Sequence, residues 1–140
     1  MSSVKLSMGA FKHVESELYR YHETKKTLET LKNNILYSSP KPDLYGGGKS
    51  NIPGDPTGRK ATLISVHKKI ESFESIVGAI EHVYERLPEE KQKLVRLKYW
   101  TQPQTLTWDG IAMELNVSRR TAINWRDGIV YAIADLLGWD

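Results

Sequence analysis

Between residues 63 and 87 the apolar side chains recur at steps of three and four: Leu63, Val66, Ile70, Phe73, Val77, Ile80, Tyr84 and Leu87. Only an α-helix gathers such positions on one face, because roughly 3.6 residues complete a turn. A strand would scatter them to both sides of a sheet. The stripe is narrow, as in a coiled-coil seam, so another helix must cover it. The spacing predicts a helix over about residues 57–86. A second series, Phe11, Val14, Leu18, Tyr21, Leu28, Leu31 and Ile35, predicts one helix over about residues 7–37, with Lys25 as its one polar break. The fold class implied is all-α.

Between these helices, residues 38–58 hold four prolines and five glycines, which reads as a linker or irregular strap. Asp55 and Pro56 suit the cap and first turn of the helix that follows. The GGGKS run at 46–50 lacks the glycine of a phosphate-binding loop at position 43, where Asp43 stands, and no strand precedes it. Two long helices joined in this way predict an antiparallel hairpin or arm, or a bundle between two chains. The alternative is that both pack on the C-terminal part of the same chain. Their seams are long for a chain of 140 residues, which favours a homodimer. Leu87-Pro88-Glu89-Glu90 then reads as a break and a helix start, with acids where the helix dipole prefers them. A third helix is expected over 89–100, carrying Leu94, Val95, Leu97, Tyr99 and Trp100. The domains expected are 1–87, two heptad-bearing helices around the linker, and 88–140.

Residues 107–126, TWDGIAMELNVSRRTAINWR, read as two short helices about a tight turn. Thr107 caps the first, whose inner side is Ile111, Ala112 and Leu115. Asn116 stands at the bend because asparagine tolerates the left-handed conformation. Val117 plugs the turn, and Ser118 caps the second helix. Ala122, Trp125 and Ile129 form its inner stripe. Its outer side carries Arg119, Arg120, Thr121, Ile123, Asn124 and Asp127. This is the layout of a helix-turn-helix whose second helix enters the major groove of DNA by its N-terminal residues. Arg119 and Arg120 lie where a helix dipole disfavours positive charge, which argues for an anionic partner. The DNA-binding residues expected are Ser118, Arg119, Arg120, Thr121, Ile123, Asn124 and Asp127. Lys91, Lys93, Arg96, Lys98 and Arg126 are expected as supporting basic contacts. An ordinary core-forming helix pair is the alternative reading of this stretch.

Charge and composition narrow the choices. The net charge is +3, yet residues 88–140 hold seven basic and seven acidic residues, so any positive surface there is local. Nonspecific DNA affinity should then be moderate and salt-dependent. All four tryptophans, at 100, 108, 125 and 139, fall in this half and are expected in or near its core. There is no cysteine, which excludes disulfides and thiolate metal sites and fits a cytoplasmic protein. The histidines at 13, 22, 67 and 82 lack metal-ligand spacing. No serine sits in a nucleophile elbow. We therefore expect no enzyme, no metal and no cofactor. No apolar run approaches the ~20 residues of a membrane span, and the N-terminus lacks the apolar core of a signal peptide.

The chain resembles the RinA-type phage transcriptional activators, which are similar in turn to the ArpU-like late regulators. The residues carrying the resemblance are YGGGKSNIPGDPT, then AIEHVYERLPEEKQKLVRLKYW, then TWDGIAMELNVSRRTAINWRDGIVYAIADLLGW. The last two blocks also look like region 4 of sigma factors: Leu94 to Tyr99, then Thr107, Ile111, Ala112, Leu115, Val117 and Ser118. One departure is Ala122, where sigma-like motifs usually carry Val or Ile. The resemblance implies a phage or prophage activator that binds promoter DNA and helps host RNA polymerase, in the bacterial cytoplasm. A small terminase subunit, which marks DNA for packaging, is one alternative. A helical protein that binds RNA polymerase without specific DNA readout is another.

Overall fold

The computed structural model describes residues 6–37 and 56–140, with side chains at 6–35 and 63–140. The protein is all-α. Its described residues form α1 (Met8–Tyr19), α2 (Tyr21–Tyr37), α3 (Pro56–Glu85), α4 (Glu89–Tyr99), α5 (Trp108–Leu115) and α6 (Arg119–Leu137), with no strand among them. The helix expected from residue 57 is α3, which opens on Pro56, a residue suited to a first helical turn. The cap expected from Asp55 and the GGGKS run lie outside the described residues. No helix of the described residues is long and apolar enough to cross a membrane.

The chain divides into two compact units, Met1–His22 with Ser75–Asp140, and Glu23–Glu74. This differs from the boundary expected near residue 88. The reason is that α1 is tied to the C-terminal helices by groups that apolar spacing does not reveal. Val14 and Leu18 are fully buried. The Tyr99 hydroxyl donates to Glu15, and the Trp100 indole N–H donates to the Leu18 carbonyl at 3.0 Å. His13 stacks on Trp139 with ring centroids 4.0 Å apart. Leu18, Ile80, Val83, Val95, Ile129 and Ile133 line one small internal space, so α1, α3, α4 and α6 share this core. Burying an aliphatic side chain of this size contributes roughly 1.5–3 kcal/mol.

The single helix expected over 7–37 is broken at Arg20, which leaves helical geometry with φ −97° and ψ 8°. Trp100 explains the break. Its indole takes the Leu18 carbonyl, and its ring packs at 5.0 Å against both Tyr21 and His22. A side chain inserted at the hydrogen-bond ladder interrupts it locally. The break also sets which residues α2 buries. Tyr21, Thr24 and Leu28 are buried and Lys25 is exposed. The stripe of α2 is thus Tyr21, Thr24, Leu28, Leu31 and Ile35, and the expected break at Lys25 does not exist. Threonine stands in the seam and the lysine points away.

Along α3 the burial changes. Ile76, Val77, Ala79, Ile80 and Val83 are buried, a face wider than the narrow seam expected there. This part belongs to the unit containing α1, α4 and α6, and several neighbours cover it. In the other unit, Val66, Ile70 and Phe73 are half-buried, while Leu63 and Ile64 are 53% and 56% exposed. There Lys32 of α2 pairs with Glu74 of α3 at 2.8 Å, so the two helices lie side by side. Helix α4 begins after Pro88, with Glu89 and Glu90 in its first turn and Arg96 and Lys98 in its last. Both sets of charges complement the helix dipole.

Candidate nucleic-acid interface

Helices α5 and α6 are joined by Asn116, Val117 and Ser118. The Thr107 hydroxyl accepts from the Gly110 amide at 3.1 Å and caps α5. A Cβ on Gly110 would stand 3.1 Å from Leu106 Cδ2, tight enough to displace that leucine. At the other end, Asn116 adopts φ 58° and ψ 42°. Its amide donates to the Met113 carbonyl at 3.2 Å, and the Val117 amide donates to the Ala112 carbonyl at 3.1 Å. This paired return satisfies carbonyls that the end of a helix leaves open. The Ser118 hydroxyl accepts from the Thr121 amide at 3.0 Å and donates to Thr121 Oγ1 at 2.9 Å. Ala112 and Ala122 are buried, Ala122 completely.

The expected reading residues separate into two groups. Arg119, Arg120 and Asn124 are exposed on the first turns of α6, and Ile123 is half-buried. That helix has no acid in its own first turn. Ser118 and Thr121 are committed to the cap. Asp127 accepts from Arg126 Nε at 2.8 Å, so it is held beside a cation.

Arg126 was expected to support an anionic ligand, but it lies inside the protein. Its side chain is 16% exposed and pairs with Glu15 at 2.9 Å. The guanidinium sits 5.0 Å from the ring centroids of both Phe11 and Trp108. Burial works against its charge. The hydrogen bond to Asp127, with Tyr99 and Glu15 nearby, outweighs that and raises its pKa. Tyr99 shares the cluster. Burial first, and then the hydrogen bond to Glu15, push its hydroxyl well above the usual tyrosine range. The cluster of Glu15, Tyr99, Arg126 and Asp127 therefore anchors α6 to α1 and α4. Sequence spacing did not signal it, because Glu15 and Arg126 are 111 residues apart.

The basic residues of α4 do not form one patch. Lys91 lies 5.6 Å from the Trp125 ring centroid. Lys93 donates to the Glu114 carbonyl at 3.4 Å, at the C-terminal end of α5. Arg96 donates to the Tyr84 hydroxyl at 2.7 Å and pairs with Glu89 at 3.2 Å. That hydrogen bond to Tyr84 is the main reason its pKa is raised, against some desolvation. Lys98 stands over Trp108 at 5.2 Å and over Tyr19 at 5.7 Å. One acid was missed by sequence reasoning: Asp109, in the first turn of α5, pairs with Arg119 at 3.6 Å. The tryptophans expected near the core are all half-buried. Among the described residues no group of three or more His, Cys, Asp or Glu is arranged to hold a metal ion.

A family model described as Protein of unknown function (DUF722) matches residues 17–135. No curated protein and no solved structure matches the chain.

Proposed function

The chain belongs to the DUF722 family, whose function is unknown, and from its own residues we propose that it is a sequence-specific DNA-binding protein, an activator of phage or prophage genes that works with host RNA polymerase in the bacterial cytoplasm. In this reading α5 and α6 are a helix-turn-helix and α6 enters the major groove by its first turns. The observation that carries the reading is the surface at those turns. Arg119, Arg120 and Asn124 are exposed there, while the hydroxyls of Thr107 and Ser118 and the amides of Asn116 and Val117 are taken up by the caps of the turn. Arginine pairs with two acceptors of guanine and asparagine with adenine, and a good pair discriminates by ~1–3 kcal/mol. In this reading the half-buried Ile123 touches a thymine methyl group.

The activator role rests on the resemblance to RinA-type regulators and to sigma region 4. The test is selection of bound duplexes from a random pool, followed by binding of Arg119→Ala and Arg120→Ala to the selected site. A recovered consensus that both variants bind less well supports the proposal. No enrichment of any sequence, or unchanged affinity in both folded variants, rejects it.

Exposed Leu63 and Ile64 favour self-association through α3. A homodimer would present two copies of α6 to one duplex, roughly 34 Å apart for half-sites one turn apart. A ring of many copies would instead favour a small terminase subunit, and sedimentation separates the two.

A further inference from the structure

Asp109 and Arg119 are the first-turn acid of α5 and the first residue of α6. Their side chains are 78% and 59% exposed, and Asp109 Oδ1 lies 3.6 Å from Arg119 Nε. The acid is favoured where it stands by the dipole of α5, and the base is disfavoured by the dipole of α6. The contact therefore neutralises a cation that its own helix would repel. Such an exposed pair is weak and is readily exchanged for another partner. Arg120, one residue on, is also exposed and has no acid in the first turn of its own helix.

We propose that Asp109 is a specificity-determining residue that acts through Arg119. Its carboxylate holds the guanidinium at the turn and competes with any phosphate for it. A lone phosphate offers little that the carboxylate does not. A guanine edge is neutral and need not displace the carboxylate: with Asp109 beside Nε, the terminal N–H groups of Arg119 remain to pair with its two acceptors. Asp109 thus lowers binding to DNA at large more than binding to the preferred site. The inference rests on the DNA-binding reading above.

The experiment measures affinity against salt for two probes: a labelled duplex of mixed sequence and the duplex recovered by selection. Asp109→Asn should bind the mixed duplex about three- to fivefold more tightly, with a salt slope steeper by about one unit. Its affinity for the selected duplex should change less, so the ratio between the two falls. Asp109→Ser should behave alike, and Asp109→Glu should resemble the native protein. In an Arg119→Ala background the gain from Asp109→Asn should fall by more than half, because the group that Asp109 restrains is gone. If the native protein binds neither duplex, the DNA-binding reading fails and takes this inference with it. If the native protein binds and neither neutral variant gains on mixed sequence, only the role of Asp109 is overturned. The same holds if the gain persists in full without Arg119.

Discussion

Arg126 shows how burial can reverse the role of a charged residue. On a helical wheel it lies beside Arg119, two turns away, yet its side chain ends between Phe11 and Trp108 and against Glu15 and Asp127. Removing one partner of a sequestered ion pair leaves the other desolvated without compensation. Arg126→Met should therefore lower unfolding free energy by roughly 2 kcal/mol, below the usual cost for a fully buried pair because both side chains keep some solvent contact. Urea denaturation measures this, and an unchanged midpoint and slope would contradict the anchoring role. Tyr99 in the same cluster yields a pH prediction. Its hydroxyl is held protonated above the usual tyrosine value by burial and by Glu15. The unfolded chain releases this proton near pH ~10, the folded protein only at higher pH. The stabilisation is therefore complete below that value and is lost as pH rises beyond it. Tyr99→Phe should flatten the alkaline fall in stability while costing about 1 kcal/mol at neutral pH. Equal alkaline slopes in the two proteins would refute the assignment.

Among the elements, the turn between α5 and α6 has the strictest backbone demand. Asn116 is the one described non-glycine residue with positive φ, and its amide and that of Val117 close the end of α5. A β-branched side chain resists this conformation. Asn116→Val should cost about 1–2 kcal/mol, and Asn116→Gly should be close to neutral. Thermal melts of the two variants decide it, and equal melting temperatures would show that the turn is not held left-handed in solution. Ala122 tests the close approach of α5 and α6. It is fully buried, so Ala122→Ile must displace a neighbour and should destabilise by about 1–3 kcal/mol. A stabilised variant would mean that the two helices leave room for the larger residue found in similar motifs.

For the whole molecule the first half of α3 decides the assembly. Leu63 and Ile64 are exposed, and Val66, Ile70 and Phe73 are only half-buried. An apolar stripe left in water invites association. The homodimer proposed here predicts that the double variant Leu63→Lys, Ile64→Lys sediments as a monomer at concentrations where the native chain is a dimer. Because both side chains are already in solvent, helix content should not change. A native chain that is itself monomeric at tens of micromolar, with or without DNA, would remove the dimer from the proposal. Each protomer offers two exposed arginines at α6, of which Arg119 is paired with Asp109, so the salt slope per protomer should be no more than about two rather than the steep value of a broadly basic protein.

Local chemistry already specified much of this protein. The three-and-four spacing specified helices. Pro56, Pro88, Thr107 and Ser118 specified where they start, because each acts on backbone within a turn of itself. Asn116 specified the bend for the same reason. Arg119, Arg120 and Asn124 were legible as an exposed set, since the stripe of Ala122 and Ile129 assigns the opposite face of α6. Only the tertiary structure decided which charges are engaged by distant parts of the chain. Arg126, Lys93 and Arg96 meet Glu15, the Glu114 carbonyl and Tyr84, partners 111, 21 and 12 residues away. Contacts at that separation leave no periodic mark on the sequence. The break at Arg20 was hidden for the same reason, because its cause is the Trp100 indole, which lies 82 residues from the Leu18 carbonyl it takes.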